Sequence, residues 1–362
     1  MRICFLATAR SIHSYRWIEY FSERSYEIFW IFLGPSRFGK VKNVRTYQLG
    51  SFFNKPLSIL FNIMALRRII KEIKPDILHA HYAGVNGILA ALSGFHPFIL
   101  SAWGSDIFIA SKRRLSGSLV KFSLSKADLI LCNGKPLAEE MIRLKIQPSK
   151  IKFAYWSTDT QKFRPLPKDK KIREELKVFA MPMVISLRSL EPHYNVETLV
   201  RALPIVLKEF PQVKFVIGGD GSERKKLEKM SKELKISDSI KFIGWIDYED
   251  VPCYLNSADI YVSTSLSDGD LAQSTQQAMA CQIPIITSDL AVNIERIRDG
   301  ENGLIFPRKD YRSLAGRITQ LLKDNNLRIK LGERGREIIL RDLDFNKNMA
   351  KVEKIYYSLI EK

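Results

Sequence analysis

The chain has 362 residues, 46% of them hydrophobic, which is ample for two globular cores and excludes a disordered or low-complexity protein. Its net charge is +18, and residues 1–160 carry 23 Lys and Arg against 10 Asp and Glu. This surplus suggests an anionic partner such as a lipid surface, a phosphorylated substrate or nucleic acid, although a charged face is often only a solvated one. No apolar stretch approaches the roughly 20 residues of a membrane span.

Four cysteines, Cys4, Cys132, Cys253 and Cys281, lie far apart, each in or beside an apolar run. This pattern predicts buried thiols in a reducing compartment, not a zinc site or a disulfide framework. Arg2 is followed at once by a short β-type run, so no signal peptide is evident. We therefore expect a cytoplasmic protein, or one attached peripherally to the cytosolic face of a membrane.

Strands and helices alternate through the first half of the chain. Apolar β-type runs predict strands at residues 2–7, 26–33, 44–49, 76–81, 98–101, 128–132 and 151–154. Helices are expected between them, at residues 15–25, 56–74, 84–92, 112–126 and 136–144. Such alternation indicates an α/β domain with a parallel sheet.

A polar, proline-bearing segment at residues 157–167 (STDTQKFRPLP) is predicted to be a linker. A second alternating series follows it, with strands expected at residues 183–187, 213–217, 240–243, 259–262, 283–286 and 304–306. The predicted fold class is therefore α/β, with two doubly wound Rossmann-like domains facing each other across a cleft. We expect the domains at residues 1–160 and 161–344, with the C-terminal helix at residues 345–362 packing back on the first.

Residues 258–289 (ADIYVSTSLSDGDLAQSTQQAMACQIPIITSD) are predicted to form a strand, a polar loop, a helix and a strand. Asp270 is a good N-cap, and Gln273 would complete a capping box for a helix at residues 271–281. The free N–H groups and dipole of such a helix start favour phosphate. An ordinary strand–helix unit that binds nothing fits the same pattern.

Arg188 follows the strand predicted at residues 183–187, at the edge where α/β folds present groups to ligands. Its guanidinium offers a rigid fork of donors for phosphate. His193, five residues further on, would add a second donor if it is protonated. Surface charge at a strand end is the alternative.

Two glycine-containing turns follow the next two strands. In residues 215–222 (FVIGGDGS), Gly219 and Gly221 would let the backbone approach a ligand closely, although this is neither the dinucleotide fingerprint nor the Walker motif. In residues 242–246 (FIGWI), Gly244 and Trp245 would meet a flat base. A tight turn with a core aromatic fits the second turn equally well.

Two histidines, His79 and His81, stand at a predicted strand end in LHAHYAG and point the same way. A metal site would need further ligands, and none are evident nearby in the sequence. We therefore expect no metal, and we expect one of the two histidines to make a polar contact in the cleft.

Further candidates follow neighbouring strands of the first half. Asp106, in WGSD beside Trp103, would expose a carboxylate that bonds sugar hydroxyls or caps the next segment. His13 and Arg16 lie just past the first strand, at the same carboxyl edge. The candidates in both halves thus fall on the strand edges that would line a cleft.

Taken in order, these motifs resemble the family 4 retaining glycosyltransferases, which have the GT-B fold. The resemblance covers nearly the whole chain and is strongest at residues 184–310, where Arg188, GGDGS, FIGW, ADIYVSTS, the AMA helix and DGENGLIFP stand in the family's order. STDTQKFRP looks like the family's interdomain hinge, and SIHSYRWIEYF and HAHYAG…SAWGSDI resemble the amino-terminal domains of one branch. The resemblance implies a nucleotide-sugar donor on the second domain, an acceptor on the first, and no metal or other cofactor.

Residue roles follow from the same resemblance. Arg188, His193 and His81 would be catalytic, with Arg188 neutralising the donor diphosphate and His81 near the transferred sugar. Asp106 would lie near the sugar or acceptor. The remaining donor-binding residues would be Gly219, Gly221, Gly244, Trp245, Asp268, Gly269, Asp270, Leu271, Ala272, Gln273 and Gln277, and the remaining sugar or acceptor contacts His13, Arg16 and Trp103.

The sequence departs from the family's pattern at several positions. Many members carry a lysine at His193, and the family's paired glutamates align with Gly269 and Gln277. Gln277 can still bond the ribose hydroxyls, but the loss of charge assistance on one hydrogen bond costs about 1 kcal/mol. Gln282 replaces a common glycine, which costs about 1 kcal/mol if the position is left-handed.

We therefore expect a metal-independent, retaining hexosyltransferase. Its expected donor is a UDP-sugar, and a GDP-sugar is the second choice. The basic first domain suggests a glycan or lipid-linked acceptor at an anionic membrane, and we do not expect nucleic-acid binding because no recognition module is evident. The alternatives are an inactive GT-B scaffold, with Gln277 marking decay of the site, and a nucleotide-sugar epimerase. Candidate membrane contacts are Phe52, Phe53, Lys55, Lys112, Arg113 and Arg114.

Overall fold

The structure, a computed structural model, describes residues 1–36, 39, 41–50, 56–108, 114–155 and 157–361, and only the backbone of residues 56, 57, 105, 114 and 115. The chain divides into two compact units. The first comprises residues 1–155 and 347–362, and the second comprises residues 156–346.

The first unit is built on a parallel sheet of seven strands. These are β1 (Arg2–Leu6), β2 (Glu27–Leu33), β3 (Val44–Leu49), β4 (Ile77–His81), β5 (Phe98–Ser101), β6 (Leu129–Cys132) and β7 (Ile151–Phe153). Their order is β3-β2-β1-β4-β5-β6-β7. Every residue of β4, β5 and β6 is buried, as expected for a parallel sheet covered on both faces.

Helices alternate with these strands. They are α1 (Ile12–Ser22), α2 (Pro56–Ile73), α3 (Val85–Ser93), α4 (Ser105–Phe108), α5 (Arg114–Lys126) and α6 (Lys135–Arg143), with a 3₁₀ turn at Pro148–Lys150. The C-terminal helix runs from Phe345 to Ile360, and its buried Tyr356 stacks on Phe21 with ring centroids 5.1 Å apart. This contact ties the end of the chain to the first unit.

The second unit is built on a parallel sheet of six strands. These are β8 (Met183–Leu187), β9 (Lys214–Gly218), β10 (Ile240–Gly244), β11 (Ile260–Ser263), β12 (Ile285–Ser288) and β13 (Leu304–Phe306), in the order β10-β9-β8-β11-β12-β13. Its helices are α7 (Lys170–Glu175), α8 (Val196–Glu209), α9 (Arg224–Glu233), α10 (Val251–Asn256), α11 (Gln273–Ala280), α12 (Ala291–Ile294), α13 (Tyr311–Lys323) and α14 (Asn325–Asp342); the C-terminal helix is then α15.

Both sheets start at a central strand and grow first to one side and then to the other. The direction reverses between β1 and β4 in the first unit, and between β8 and β11 in the second. The loops after such a pair of strands diverge, so the carboxyl edge of the sheet opens there into a crevice that ligands use in doubly wound folds. The predicted α/β class with two doubly wound parallel sheets is confirmed.

Two helices start at residues other than those predicted. Helix α1 begins at Ile12, three residues before its predicted start, because the Ser11 hydroxyl accepts the His13 N–H at 3.2 Å. The capping box predicted for α11 is wrong, since this helix begins at Gln273 after an Ala272 N-cap that makes no side-chain hydrogen bond. Gln282 does adopt a left-handed conformation, with φ of 64°.

The segment predicted as a linker begins beside the boundary between the two units, which follows residue 155, and its residues 164–167 are exposed. Its first half packs into the second unit. Thr158 and Phe163 are fully buried, and Thr158 forms a parallel bridge with Asp344. Three of the four predicted buried cysteines are buried, while Cys253 is half-buried. Burial raises the pKa of the Cys281 thiol to about 12. No helix in the part of the chain that the structure describes combines the length and apolarity needed to cross a bilayer.

Candidate active site

Arg188 lies at the switch point of the second sheet, directly after β8. Its Nη2 donates to both carboxylate oxygens of Asp268, at 2.7 and 3.0 Å, and its guanidinium lies 4.1 Å from the ring centroid of Tyr194. The side chain is 9% exposed. Burial alone would lower the pKa of Arg188, but Asp268, with smaller effects of Tyr261 and Tyr194, outweighs burial and the pKa is raised. The site therefore holds a permanent, buried cation.

The glycines after β9 allow two backbone segments to pack closely. A Cβ on Gly219, whose φ is +125°, would lie 2.1 Å from the carbonyl oxygen of Arg188. One on Gly221 would lie 2.5 Å from the carbonyl oxygen of Leu190. Gly219 also donates its N–H to the Gly244 oxygen at 2.6 Å. Both glycines are thus required by neighbouring protein backbone, and their contact with a ligand stays a prediction.

Trp245 follows β10 and exposes 62% of its surface. The preceding Gly244 turns the chain at φ of +71°. The alternative of a core aromatic is therefore wrong for Trp245, since its ring lies at the surface. An exposed ring at the carboxyl edge of the sheet can stack on a flat base.

Asp270 lies in the loop between β11 and α11 and does not cap the helix. It is 8% exposed, and its Oδ1 stands 3.5 Å from Arg296 Nε. Burial raises the pKa of Asp270 to about 7, although the Arg296 charge acts in the opposite direction. The neighbouring Leu271 and Ala272 are buried, and Gly269 is half-buried. The loop thus carries two acidic side chains with separate arginine partners.

The two candidate glutamines of α11 have different surroundings. Gln273 donates its amide to Thr158 Oγ1 at 2.8 Å and to the Ser157 carbonyl at 3.3 Å. Gln277 is 6% exposed, and its amide makes no hydrogen bond with any residue that the structure describes. Gln273 therefore fastens the start of the helix to residues 157–158, whereas Gln277 retains unused hydrogen-bonding capacity.

His193 lies in a 3₁₀ turn, Pro192–Tyr194, that follows Arg188 along the chain. Its ring is exposed and stands 4.0 Å from the Tyr194 ring between centroids. Its carbonyl accepts the Leu266 N–H at 2.8 Å, which joins this turn to the loop after β11. Sequence reasoning missed Tyr194, the aromatic partner of Arg188, although it stands beside His193 in LRSLEPHYN.

In the first unit, His81 ends β4 at the switch point. Its Nδ1 lies 3.3 Å from Ser14 Oγ, while its Nε2 is buried without a hydrogen-bond partner among the described residues. Burial, with a smaller effect of His13, lowers the pKa of His81 to about 3. The imidazole is therefore neutral at physiological pH, and Nε2 is free to donate or accept one hydrogen bond.

His79 points to the same face, with its ring 4.7 Å from that of His81, but both of its ring nitrogens have hydrogen-bond partners in the core. Its Nδ1 lies 2.5 Å from the Tyr356 hydroxyl and its Nε2 lies 2.8 Å from Ser101 Oγ. Of the two histidines, only His81 has hydrogen-bonding capacity left. No group of three or more metal-ligating side chains occurs among the residues described.

Asp106 is 1% exposed, so the expectation of an exposed carboxylate is wrong. One oxygen accepts the N–H groups of Trp103 and Gly104 at 3.0 and 2.8 Å, and the other accepts that of Ala83 at 2.7 Å. Burial raises the pKa of Asp106, although these hydrogen bonds oppose the rise. The carboxylate therefore fixes the loops after β4 and β5 around His81.

The other candidates of the first unit gather near His81. The Trp103 ring lies 5.7 Å from that of His81 and 6.1 Å from that of His13. Burial and the neighbouring Arg16 charge lower the pKa of His13 to about 4. Arg16 itself is 8% exposed on α1. His13, His81 and Trp103 thus form an aromatic cluster at the carboxyl edge of the sheet.

Two glycosyltransferase families match the chain, one in each half. The model of the family described as "Glycosyl transferase 4-like" matches residues 2–134, and that of "Glycosyl transferases group 1" matches residues 167–338. The solved structure of Anabaena Alr3699/HepE in complex with UDP superposes with a TM-score of 0.87 at 18% identity, covering 99% of this chain and 100% of that one. The same protein has been solved with UDP-glucose, with a TM-score of 0.85.

The curated relatives of the chain include two that match over long stretches. N-acetyl-alpha-D-glucosaminyl L-malate synthase of Bacillus anthracis is 26% identical over 356 residues, which cover 94% of this chain and 91% of that protein. The uncharacterized glycosyltransferase MJ1069 of Methanocaldococcus jannaschii is 26% identical over 243 residues, which span 66% of this chain and only 61% of that protein. The predicted resemblance is confirmed: the chain has the GT-B fold and is a glycosyltransferase of the group 1, family 4-like kind.

Proposed function

We propose that this glycosyltransferase moves a hexose-type sugar from a nucleotide diphosphate sugar to a glycan or lipid-linked acceptor, with retention of configuration and without a metal. The observation that carries the proposal is Arg188, a mostly buried cation at the switch point of the second sheet, whose Nε has no hydrogen-bond partner among the residues that the structure describes. A diphosphate leaving group needs such a cation. UDP is the first choice, supported by UDP in the HepE structures, and GDP is the second.

In the proposed reaction, the bond between the anomeric carbon and the phosphate oxygen breaks through an oxocarbenium-like state. Arg188, with His193 when protonated, balances the charge that develops on the diphosphate. The acceptor hydroxyl forms the new bond at the anomeric carbon, and its proton leaves with the diphosphate. Because His81 is neutral, its role is to hydrogen-bond a sugar group through Nε2, not to supply positive charge.

The other roles are proposed from position. Trp245 would stack on the base beside Gly244, the loop of Gly219 and Gly221 would lie next to the diphosphate, and Gln277 would bond the ribose hydroxyls. The backbone amides of the loop before α11, and of the start of this helix at Gln273, would hold the phosphate. Gly269, Asp270, Leu271 and Ala272 would lie beside the sugar, with Asp268 next to Arg188. In the first unit, Arg16, His13, Trp103 and Asp106 would shape the sugar and acceptor side.

Calorimetric titration with UDP, GDP and other nucleoside diphosphates tests the donor site. We expect UDP to bind and Arg188→Ala to weaken its binding at least thirty-fold, since removing one side of a buried charge contact costs roughly 2–5 kcal/mol. Arg201→Ala is the matched control, because Arg201 is an exposed arginine paired with Glu197 on α8. A protein that binds no nucleoside diphosphate, or an Arg188→Ala variant with unchanged affinity, would contradict the proposal.

An inactive scaffold is the second candidate, and Gln277 favours it because a neutral amide stands where the family has a carboxylate. An active transferase releases UDP from the donor, and does so faster when the acceptor is present. A scaffold would bind UDP and release none from any UDP-sugar offered with a glycan or polyprenyl-linked acceptor. Conversion of the donor sugar to its epimer without an acceptor would instead identify an epimerase.

We also propose that the first unit contacts an anionic lipid surface. Lys and Arg outnumber Asp and Glu by 27 to 11 in this unit, against 30 to 28 in the second. Helix α2 presents one exposed face, defined by Leu60, Phe61, Met64, Arg67, Arg68 and Lys71, whose spacing puts them on one side of the helix. The predicted contacts at residues 52, 53, 55, 112 and 113 lie outside the described residues, as does the side chain of Arg114.

The three apolar side chains of the α2 face are between 54% and 67% exposed. Large apolar side chains in water beside a basic cluster fit the headgroup region of an anionic bilayer. We expect Phe61→Ser to weaken sedimentation with phosphatidylcholine–phosphatidylglycerol vesicles, and high salt to weaken it further. Phe179→Ser, at a similarly exposed phenylalanine of the second unit, is the matched control. Equal binding to vesicles of phosphatidylcholine alone would contradict the electrostatic part.

A further inference from the structure

The ion pair with Asp268 leaves some N–H donors of the Arg188 guanidinium without a carboxylate acceptor. A single nitrogen, Nη2, donates to both carboxylate oxygens, while Nε is buried and has no hydrogen-bond partner in the described part of the chain. Arginine–carboxylate pairs are frequently bidentate, with two nitrogens set against two oxygens in parallel hydrogen bonds. The observed geometry leaves donor capacity for an anion with more oxygens than a carboxylate.

Arg188 is held firmly on its other sides. Its guanidinium lies over the Tyr194 ring, and the Tyr194 carbonyl accepts the Thr264 hydroxyl at 2.9 Å. The backbone of Arg188 is packed against Gly219, where no side-chain atom could be inserted. The arginine is thus a fixed element of the site.

Asp268 is less firmly held than the arginine. It lies in the loop between β11 and α11, where residues 264–272 form neither helix nor strand. Within the described chain, the hydrogen bonds of its carboxylate go to Arg188 alone. The other acidic residue of the loop, Asp270, faces Arg296 and does not contact Arg188. Asp268 can therefore leave Arg188 without breaking any other hydrogen bond.

We propose that Asp268 is an internal substitute for the donor diphosphate, which covers Arg188 while the site is empty and is displaced when a nucleoside diphosphate binds. The inference rests on the proposed function, since it assumes that Arg188 receives the diphosphate. Displacement of Asp268 would make the site selective among ligands. An anion must carry more charge and more acceptor oxygens than a carboxylate to compete, and a diphosphate does. A ligand that does not reach Arg188, such as the uncharged nucleoside uridine, leaves the pair intact.

Calorimetric titration of Asp268→Asn with UDP and with uridine tests this inference. The variant keeps the size of the side chain and removes the competing charge. We expect UDP to bind about tenfold more tightly than to the unmodified protein, and uridine to bind with unchanged affinity. Asp299→Asn is the matched control, because Asp299 also pairs with an arginine, Arg317, at 2.6 Å and lies after α12, away from the loop of Asp268. It should leave both affinities unchanged.

A merely structural role for Asp268 gives a different result, because loss of the pair would then misplace Arg188 and weaken UDP binding. UDP affinity that is unchanged or weaker in Asp268→Asn, while the unmodified protein binds UDP, overturns this inference alone. Absence of nucleoside diphosphate binding by both proteins overturns the proposed function, and this inference with it. Asp268→Ser removes the same charge with a small side chain and serves if the asparagine variant does not fold.

Discussion

The two units of the molecule distribute charge in opposite ways. The first carries an excess of 16 basic residues, yet the histidines at its switch point are held neutral by burial. The second is almost balanced, with an excess of 2, yet its switch point holds the ion pair of Arg188 and Asp268, whose side chains are only 9% and 14% exposed. The net positive charge of the chain therefore comes mainly from the first unit, whereas the charged groups of the candidate site lie in the second. Surface charge selects partners, whereas a few buried groups set the chemistry.

The largest contrast between the units is expected at their glycines. Gly219→Ala puts a Cβ against the backbone of Arg188, which cannot move aside, so we expect it to lower the free energy of unfolding by roughly 2–4 kcal/mol and to abolish UDP binding. Gly94 of the first unit also has positive φ but has open space around it, so Gly94→Ala should cost only about 1 kcal/mol. Urea unfolding measures both, and equal losses would show that conformation, not contact, governs Gly219.

Acid should destabilise the first unit through His81. Its pKa is lowered to about 3 in the folded state, while an unfolded histidine titrates near 6.5. Below pH 6.5 the unfolded chain binds a proton that the folded chain does not, so stability falls on acidification by up to about 1.4 kcal/mol per pH unit. We expect His81→Asn to flatten this slope relative to the unmodified protein. Unfolding measured from pH 4 to 7 would decide, and parallel slopes would refute the effect.

Asp270 gives the second unit the opposite pH dependence. Its pKa is raised to about 7, so between pH 4 and 7 the folded chain keeps a proton that the unfolded chain releases. This stabilisation is complete at low pH and is lost as the pH rises through 7, by up to about 1.4 kcal/mol per pH unit. Asp270→Asn should remove the loss and raise the unfolding temperature most at pH 8. An equal increase in the unfolding temperature of this variant at pH 4 would contradict the prediction.

Adding a charge to the donor site of the second unit should have a smaller effect. Gln277→Glu restores the carboxylate of the family pattern, and charge assistance on a ribose hydrogen bond contributes about 1 kcal/mol, or roughly fivefold in UDP affinity. Gln320→Glu, at an exposed position of α13, controls for charge alone. Titration with UDP measures both variants. Unchanged affinity in Gln277→Glu would mean that position 277 does not contact the ribose.

The smallest effect concerns strained backbone, which both units contain. Gln282 has φ of 64° at the end of α11, so Gln282→Gly should raise the free energy of unfolding by about 1 kcal/mol. Tyr82, beside His81, has φ of 80°, but its ring also packs 6.2 Å from that of Trp103. Tyr82→Gly should therefore give no net gain, because lost packing offsets relieved strain. Thermal unfolding of both variants tests the contrast, and equal gains would contradict it.

Much of the fold follows from local pattern. The predicted bounds of β5, β8 and β13 agree with the structure residue for residue, because buried parallel strands are continuous apolar runs between polar loops. The bounds of β3 agree as well, although this edge strand is mostly exposed. Helix starts were less predictable, since one hydroxyl at Ser11 moved the start of α1. Asp270 shows the same limit, because its N-cap geometry was overridden by burial beside Arg296.

The sequence by itself determined the α/β class, the two parallel sheets and the strand ends on which the candidate residues stand, because hydrophobic periodicity and turn residues act over short stretches of chain. Only the tertiary structure decided which of those residues are charged, buried or already bonded. The partners of Arg188 and Asp106 lie 80 and 23 residues away, at Asp268 and Ala83. Contacts across such distances depend on how the strands are ordered in the sheet, which no local pattern encodes.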